Sequence, residues 1–235
     1  MKKISVIVLV VLGLMMSAYA EAAKPGKRRT RNANRVGPYA GALIGMNHYT
    51  GDQSAAEADL ESSFNGVPTQ NLSIGTDEKD VGYAAQFGYR FNRYVAAEFA
   101  LVQYGDLTST ARADVDLGGG FTPASINLGF HTGGPMLSAI GILPLNDKFE
   151  IYGRAGMLFA SSERSFVIKV NGDTTSFGSS KGESSEVVLG VGAAWHVNQM
   201  FSIRAQYEKL DAVGEKNKTG TEDISSASIG LVVRF

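Results

Sequence analysis

"SASIGLVVRF", residues 226–235, closes the sequence on an apolar alternation that ends in an aromatic ring. Chain ends are usually polar and frayed. On an extended strand Ile229, Leu231, Val233 and Phe235 fall on one side, and Ser228, Gly230 and Arg234 on the other. Such a stripe must be covered, by a core or by hydrocarbon, and the strand that carries it needs a neighbour.

Working outward, the same period-two alternation recurs at residues 39–49, 81–91, 94–104, 136–145, 149–161, 186–197, 201–210 and 226–235. These segments predict eight strands. Three joints are minimal and carry asparagine: Asn92-Arg93, Asn146-Asp147-Lys148 and Asn198-Gln199-Met200. They read as tight hairpins. The other four are long and polar, centred near residues 50–80, 105–130, 162–185 and 211–225. Short and long joints alternate, so the short turns gather at one end of a meander. Outer-membrane barrels show this asymmetry, with short turns on the periplasmic side. The expected fold is all-β, an eight-stranded antiparallel up-and-down transmembrane β-barrel in which the last strand pairs with the first.

Export is written at the other end. Lys2 and Lys3 precede an apolar run over residues 4–16, followed by Ala18-Tyr19-Ala20. This is the pattern of a secretory signal peptide, residues 1–20, cut after Ala20. The run is shorter than the ~20 residues of a membrane-spanning helix, and no later stretch is apolar for 18 residues. Residues 24–35, "KPGKRRTRNANR", hold six basic residues and no acidic one. They make residues 21–35 a flexible basic tail, placed to meet anionic headgroups at the periplasmic face. Residues 36–235 are then the barrel domain.

Parity decides which face meets lipid. In 81–91, Val81, Tyr83, Phe87, Tyr89 and Phe91 oppose Gly82, Gln86, Gly88 and Arg90. In 186–197, Val187, Leu189, Val191 and Trp195 oppose Glu186, Gly190, Gly192 and His196. An export signal, few lysines on the charged faces and frequent glycine on them favour apolar-out, because eight strands leave little room inside. An arginine in mid-bilayer costs about 2–4 kcal/mol on the lipid face, and a one-residue slip flips every side chain of a strand. The inner set is therefore Arg90, Arg154, Arg204 and Arg234 against Glu98, Glu150, Glu186 and Glu208, a neutral ion-pair network in the barrel interior. The first strand is small and apolar on both faces, which leaves its parity open.

Other chemistries find little support. With no cysteine there are no disulfides or thiolate ligands, and a net charge of −1 provides no basic field for nucleic acid. His48, His131 and His196 show no metal-ligand spacing and no His-x-Ser pairing. They read as interfacial polar residues, and no cofactor, metal or catalytic set is expected. From Gly51 to Asp80 there are seven Asp/Glu and one Lys, expected as a mobile acidic extracellular loop beside lipopolysaccharide and open to a host or phage surface ligand.

Three stretches resemble the OmpA-type outer-membrane barrel. "LPLNDKFEIYGRAGM", residues 143–157, is similar to that family's strand–turn–strand with inward Tyr152 and Arg154. "FSIRAQYEKL", residues 201–210, is similar to its seventh strand, with inward Arg204 and Glu208. "SIGLVVRF", residues 228–235, is similar to its closing strand. The resemblance spans residues 36–235 and is strongest after residue 136. It implies that Ile229, Leu231, Val233 and Phe235 form the C-terminal signal read by the outer-membrane assembly machinery. Family members often carry a C-terminal peptidoglycan-binding domain; this sequence stops at the barrel, so that activity is not carried over. The function expected is a monomeric outer-membrane barrel with a structural and surface-contact role in the cell envelope and a filled polar interior. The alternatives are a narrow, low-conductance porin-like channel lined by Arg154, Arg204, Glu98 and Glu208, and a lipid A-modifying barrel enzyme.

Overall fold

The computed structural model describes residues 35–50, 66–77, 79–116, 118–171, 173–213 and 222–235. The signal peptide, the tail up to residue 34 and the acidic stretch 51–65 lie outside the described residues. Nine strands follow one another: β1 (Gly37–Thr50), β2 (Thr69–Asp77), β3 (Lys79–Arg90), β4 (Val95–Asp116), β5 (Phe121–Pro144), β6 (Phe149–Val170), β7 (Asp173–His196), β8 (Phe201–Val213) and β9 (Glu222–Arg234). Eight of them close into a ring in the order β1-β3-β4-β5-β6-β7-β8-β9, with β9 back against β1, every pair antiparallel. β2 is the ninth. It prolongs the line of β3 along β4, from Asp77 opposite Thr108 to Thr69 opposite Val115.

The three short turns are copies of one another. Asn92, Asn146 and Asn198 each accept, through Oδ1, the backbone N–H groups two and three residues on, at 2.8–3.0 Å. The carbonyls of Val95, Phe149 and Phe201 close each turn by accepting two backbone N–H groups. An asparagine side chain that takes over a backbone acceptor's place is what makes so short a reversal possible.

The strands run far past the segments expected from the alternation. Residues 105–130 and 162–185, read above as long loops, are hairpins: β4 pairs with β5 up to Asp116 opposite Phe121, and β6 with β7 up to Val170 opposite Asp173. Their large apolar residues, among them Leu107, Val115, Ile126 and Ile168, are scattered among threonine, serine and alanine, so they form no lipid-facing signature. A bulge also breaks the period. At Gly105, φ +80°, β4 carries one residue more than β5, between the pairs Gln103–Gly133 and Asp106–His131. Below it the even-numbered residues of β4 are buried; above it the odd-numbered Ser109, Ala111, Ala113 and Val115 are.

The outer face is an apolar band. Leu189, Val191 and Ile229 are 59%, 64% and 54% exposed, and Phe91, Tyr94, Phe149 and Trp195 gather near the short turns. Phe149 and Trp195 stack there with centroids 6.4 Å apart, in the position of an interfacial aromatic girdle. The parity of β1 is settled: Tyr39, Leu43 and Asn47 are buried and Ile44 and Met46 exposed. One residue of the terminal stripe departs from expectation. Ile229, Leu231 and Phe235 are exposed, but Val233 is 4% exposed. It is flanked in register by Ala40 on β1 and Phe201 on β8, and neighbours directly opposite share one face.

Candidate functional site

Inward-facing side chains stack in layers along the barrel axis, because each strand delivers every second residue to the interior. Nearest the short turns, the Glu150 carboxylate accepts from Arg90 Nη1 at 2.9 and 3.2 Å. His196 Nε2 lies 3.2 Å from Glu150, Arg234 Nη2 3.7 Å and Arg35 Nη1 4.0 Å. Ser202 Oγ holds His196 Nδ1 at 2.7 Å. Arg90 also donates Nε to the carbonyl of Asn92 at 3.1 Å and Nη2 to that of Arg93 at 2.6 Å, so it ties this layer to the first turn. Arg35 precedes β1; partial burial pushes its guanidinium pKa down, and Glu150 opposes that shift.

The next charged layer centres on Glu98. It pairs with both Arg154 and Arg204 and accepts the Tyr39 hydroxyl at 2.6 Å. Arg154 also pairs with Glu208 and donates to Gln86 Oε1 at 3.3 Å. Arg204 lies over two rings, 4.6 Å from the centroid of Tyr152 and 5.4 Å from that of Tyr39. The Tyr152 hydroxyl donates to Gln206 Oε1 at 2.9 Å. Two guanidiniums thus face two carboxylates, all four side chains at most 5% exposed, and each charge has a partner, as burial demands.

Between this layer and the far end of the barrel stands an apolar one. Tyr104, Met136, Leu158, Val188, Leu210 and Ile224 are each at most 1% exposed and pack in one cluster. Beyond it, Ala111, Val115, Ala124 and Ile126 form a second cluster on the inner face of the long hairpins.

Seven of the eight charged residues expected inside meet in these two groups: Glu98, Arg154, Arg204 and Glu208 in one, Arg90, Glu150 and Arg234 in the other. Glu186 joins neither. It is half-buried, stands opposite Leu158 at the height of the apolar cluster, and makes no ion pair with a described residue. Parity gave it a face but not a height. His196, read above as interfacial, is 3% exposed and belongs to the Glu150 group; Tyr39, Gln86 and Gln206 are further members that the charge pattern did not single out. His131 is exposed and pairs with Asp106 at 2.5 Å. Among the described residues no group of three His, Asp or Glu could hold a metal ion.

A closed ring of eight antiparallel strands, apolar outside and charged inside, is the architecture of an outer-membrane barrel. The family model described as OmpA-like transmembrane domain matches residues 33–235. The chain belongs to this family. As a member it resides in the cell outer membrane. Outer membrane protein A of Klebsiella pneumoniae is 25% identical over 202 residues, covering 84% of this chain and 50% of the relative. The chain therefore spans about half the length of that curated relative. Among solved structures, the N-terminal β-barrel domain of OprF from Pseudomonas aeruginosa is similar, with TM-score 0.44 and 13% identity, covering 86% of this chain and 100% of that one. Ail, the attachment invasion locus protein of Yersinia pestis, is similar with TM-score 0.41 and 15% identity, covering 85% and 99%.

Proposed function

We propose that this OmpA-like barrel is a monomeric envelope protein with a structural and surface-contact role, an interior closed to free diffusion and no catalytic activity. The observation that carries the reading is the series arrangement of the layers. A solute would have to cross the Glu150 group, the Glu98 group and then the apolar cluster around Leu158, Met136 and Leu210. The space enclosed among Tyr39, Arg90, Glu150, Ser202, Arg204 and Arg234 is 10 Å³, about the room of one water. Eight-stranded barrels have interiors that side chains can fill, and this composition supports that. The surface role rests on the acidic stretch 51–80 and on the hairpins β4–β5 and β6–β7, which extend on the side away from the short turns. The partners proposed are lipopolysaccharide and outer-membrane lipid around the band, the assembly machinery reading the β9 stripe, and a host or phage surface ligand at the long hairpins.

Planar-bilayer recording of the refolded protein tests closure, since steady single-channel steps would replace this reading with the narrow channel. The paired charges around Glu98 are the feature that favours that second reading. Lipid A of expressing cells, compared by mass with that of control cells, tests the absence of enzymatic activity.

A further inference from the structure

The two buried charge groups differ in balance. Around Glu98 the count is two guanidiniums to two carboxylates; around Glu150 it is three, Arg35, Arg90 and Arg234, to one, with the His196 imidazole beside them. Arg90 is fully engaged by Glu150 and two carbonyls. Arg234 is not. Its contacts to Glu150 and His196 are 3.7 and 3.5 Å, although its side chain is only 13% exposed. Such separations are too long for good hydrogen bonds. Arg35, 27% exposed, reaches Glu150 only at 4.0 Å and gives Nη2 to the carbonyl of Asp147. The Asp147 carboxylate acts on Arg35 through space but makes no ion pair with a described residue. A charge withdrawn from water without a partner is costly, so this end of the barrel has positive charge that one more anion would satisfy.

We propose that the short-turn mouth is a receptor for a phosphate-bearing anion, held by the guanidinium groups of Arg35 and Arg234 while Arg90 and Glu150 fix the ring behind them. Two forked guanidiniums offer more donors than a carboxylate's two oxygens can accept, and they match the three or four oxygens of a phosphate. The 10 Å³ space behind the mouth is too small for a phosphate, so the anion sits at the rim and approaches from the periplasm. The sequence before Arg35 is also basic: positions 24–34 carry five basic residues and no acidic one. The phosphate has two possible sources, a soluble periplasmic phosphate compound or an anionic phospholipid headgroup.

The test titrates refolded mature protein in maltoside micelles with potassium phosphate, against potassium chloride at equal ionic strength, by calorimetry. Saturable phosphate binding is expected, at least about tenfold weaker in Arg35→Gln/Arg234→Gln. Arg35→Gln alone, outside every strand, should weaken it without disturbing the fold, which the heat-modifiable gel shift checks. Phosphate heats equal to those of chloride, or unchanged in the variants, overturn the proposal. Repeating the titration in nanodiscs separates the sources. Binding retained in both phosphatidylcholine and phosphatidylglycerol discs supports a soluble phosphate, and binding masked only by phosphatidylglycerol supports the headgroup.

Discussion

Gly192 lies beneath the ring of Tyr152, so close that a methyl group there would overlap the phenol. Gly88 stands in the same relation to Tyr39. The two rings seated on these glycines flank the Arg204 guanidinium, and their hydroxyls reach Gln206 and Glu98. Two missing side chains on β7 and β3 thereby set the position of the central charge group.

Gly192→Ala should displace Tyr152 and break its bond to Gln206. Overpacking of this kind costs about 1–3 kcal/mol. Urea unfolding of the protein refolded in micelles would measure it, and Gly153→Ala, where an added methyl meets nothing within 4 Å, should be near neutral.

Glu98 is the hub of its layer, since Arg154, Arg204 and Tyr39 all converge on it. Glu98→Ala strands the buried guanidinium of Arg204, leaves Arg154 with Glu208 alone, and should cost about 3–5 kcal/mol. Glu208→Ala leaves Arg154 with Glu98 and should cost less. The order of the two urea midpoints is the check.

The layers also predict a conductance result. Because the Leu158 cluster lies in series with the Glu98 group, Glu98→Ala should leave planar-bilayer current at baseline. Sustained channel steps in that variant would show that the charged layer alone seals the lumen.

Asn146 supplies one acceptor to two backbone N–H groups. Asn146→Ala should cost about 1–2 kcal/mol at about 1 kcal/mol per hydrogen bond. Asn92→Ala and Asn198→Ala should behave alike because the three turns share one geometry. Their unfolding curves in the same micelle are the comparison.

The lipid band predicts a depth-dependent penalty. Val191→Arg should cost about 2–4 kcal/mol. Ser179→Arg, exposed on β7 well above the band and opposite Ser165, should change the unfolding midpoint little, as surface substitutions do.

The lower halves of the strands were legible because lipid demands large apolar residues on one face and eight strands tolerate only charge pairs or small residues on the other. Val187, Leu189 and Val191 against Gly190 and Gly192 state this plainly. The upper halves were not: beyond the band Thr108, Thr110 and Arg112 need not be greasy, and the inner face is lined by residues as small as Ala111 and Ala113, which leave the alternation faint. For the charged groups, spacing gave the side of the strand for Arg154, Arg204 and Glu208, but not the height, which depends on stagger between strands. Glu186 shows that difference. His196, Tyr39 and the two glutamines were missed because a neutral polar residue on an inward face looks no different from one that merely fills space.

Gly105 has a consequence for change along the lineage. Deleting that one residue would remove the bulge and let the pairs Gln103–Gly133 and Asp106–His131 follow one another in a regular ladder, so that Ala111, Ala113 and Val115 would keep their partners on β5 and their place on the inner face. A shortening of β4 by one residue is therefore absorbed at this point with no compensating loss on β5 opposite it.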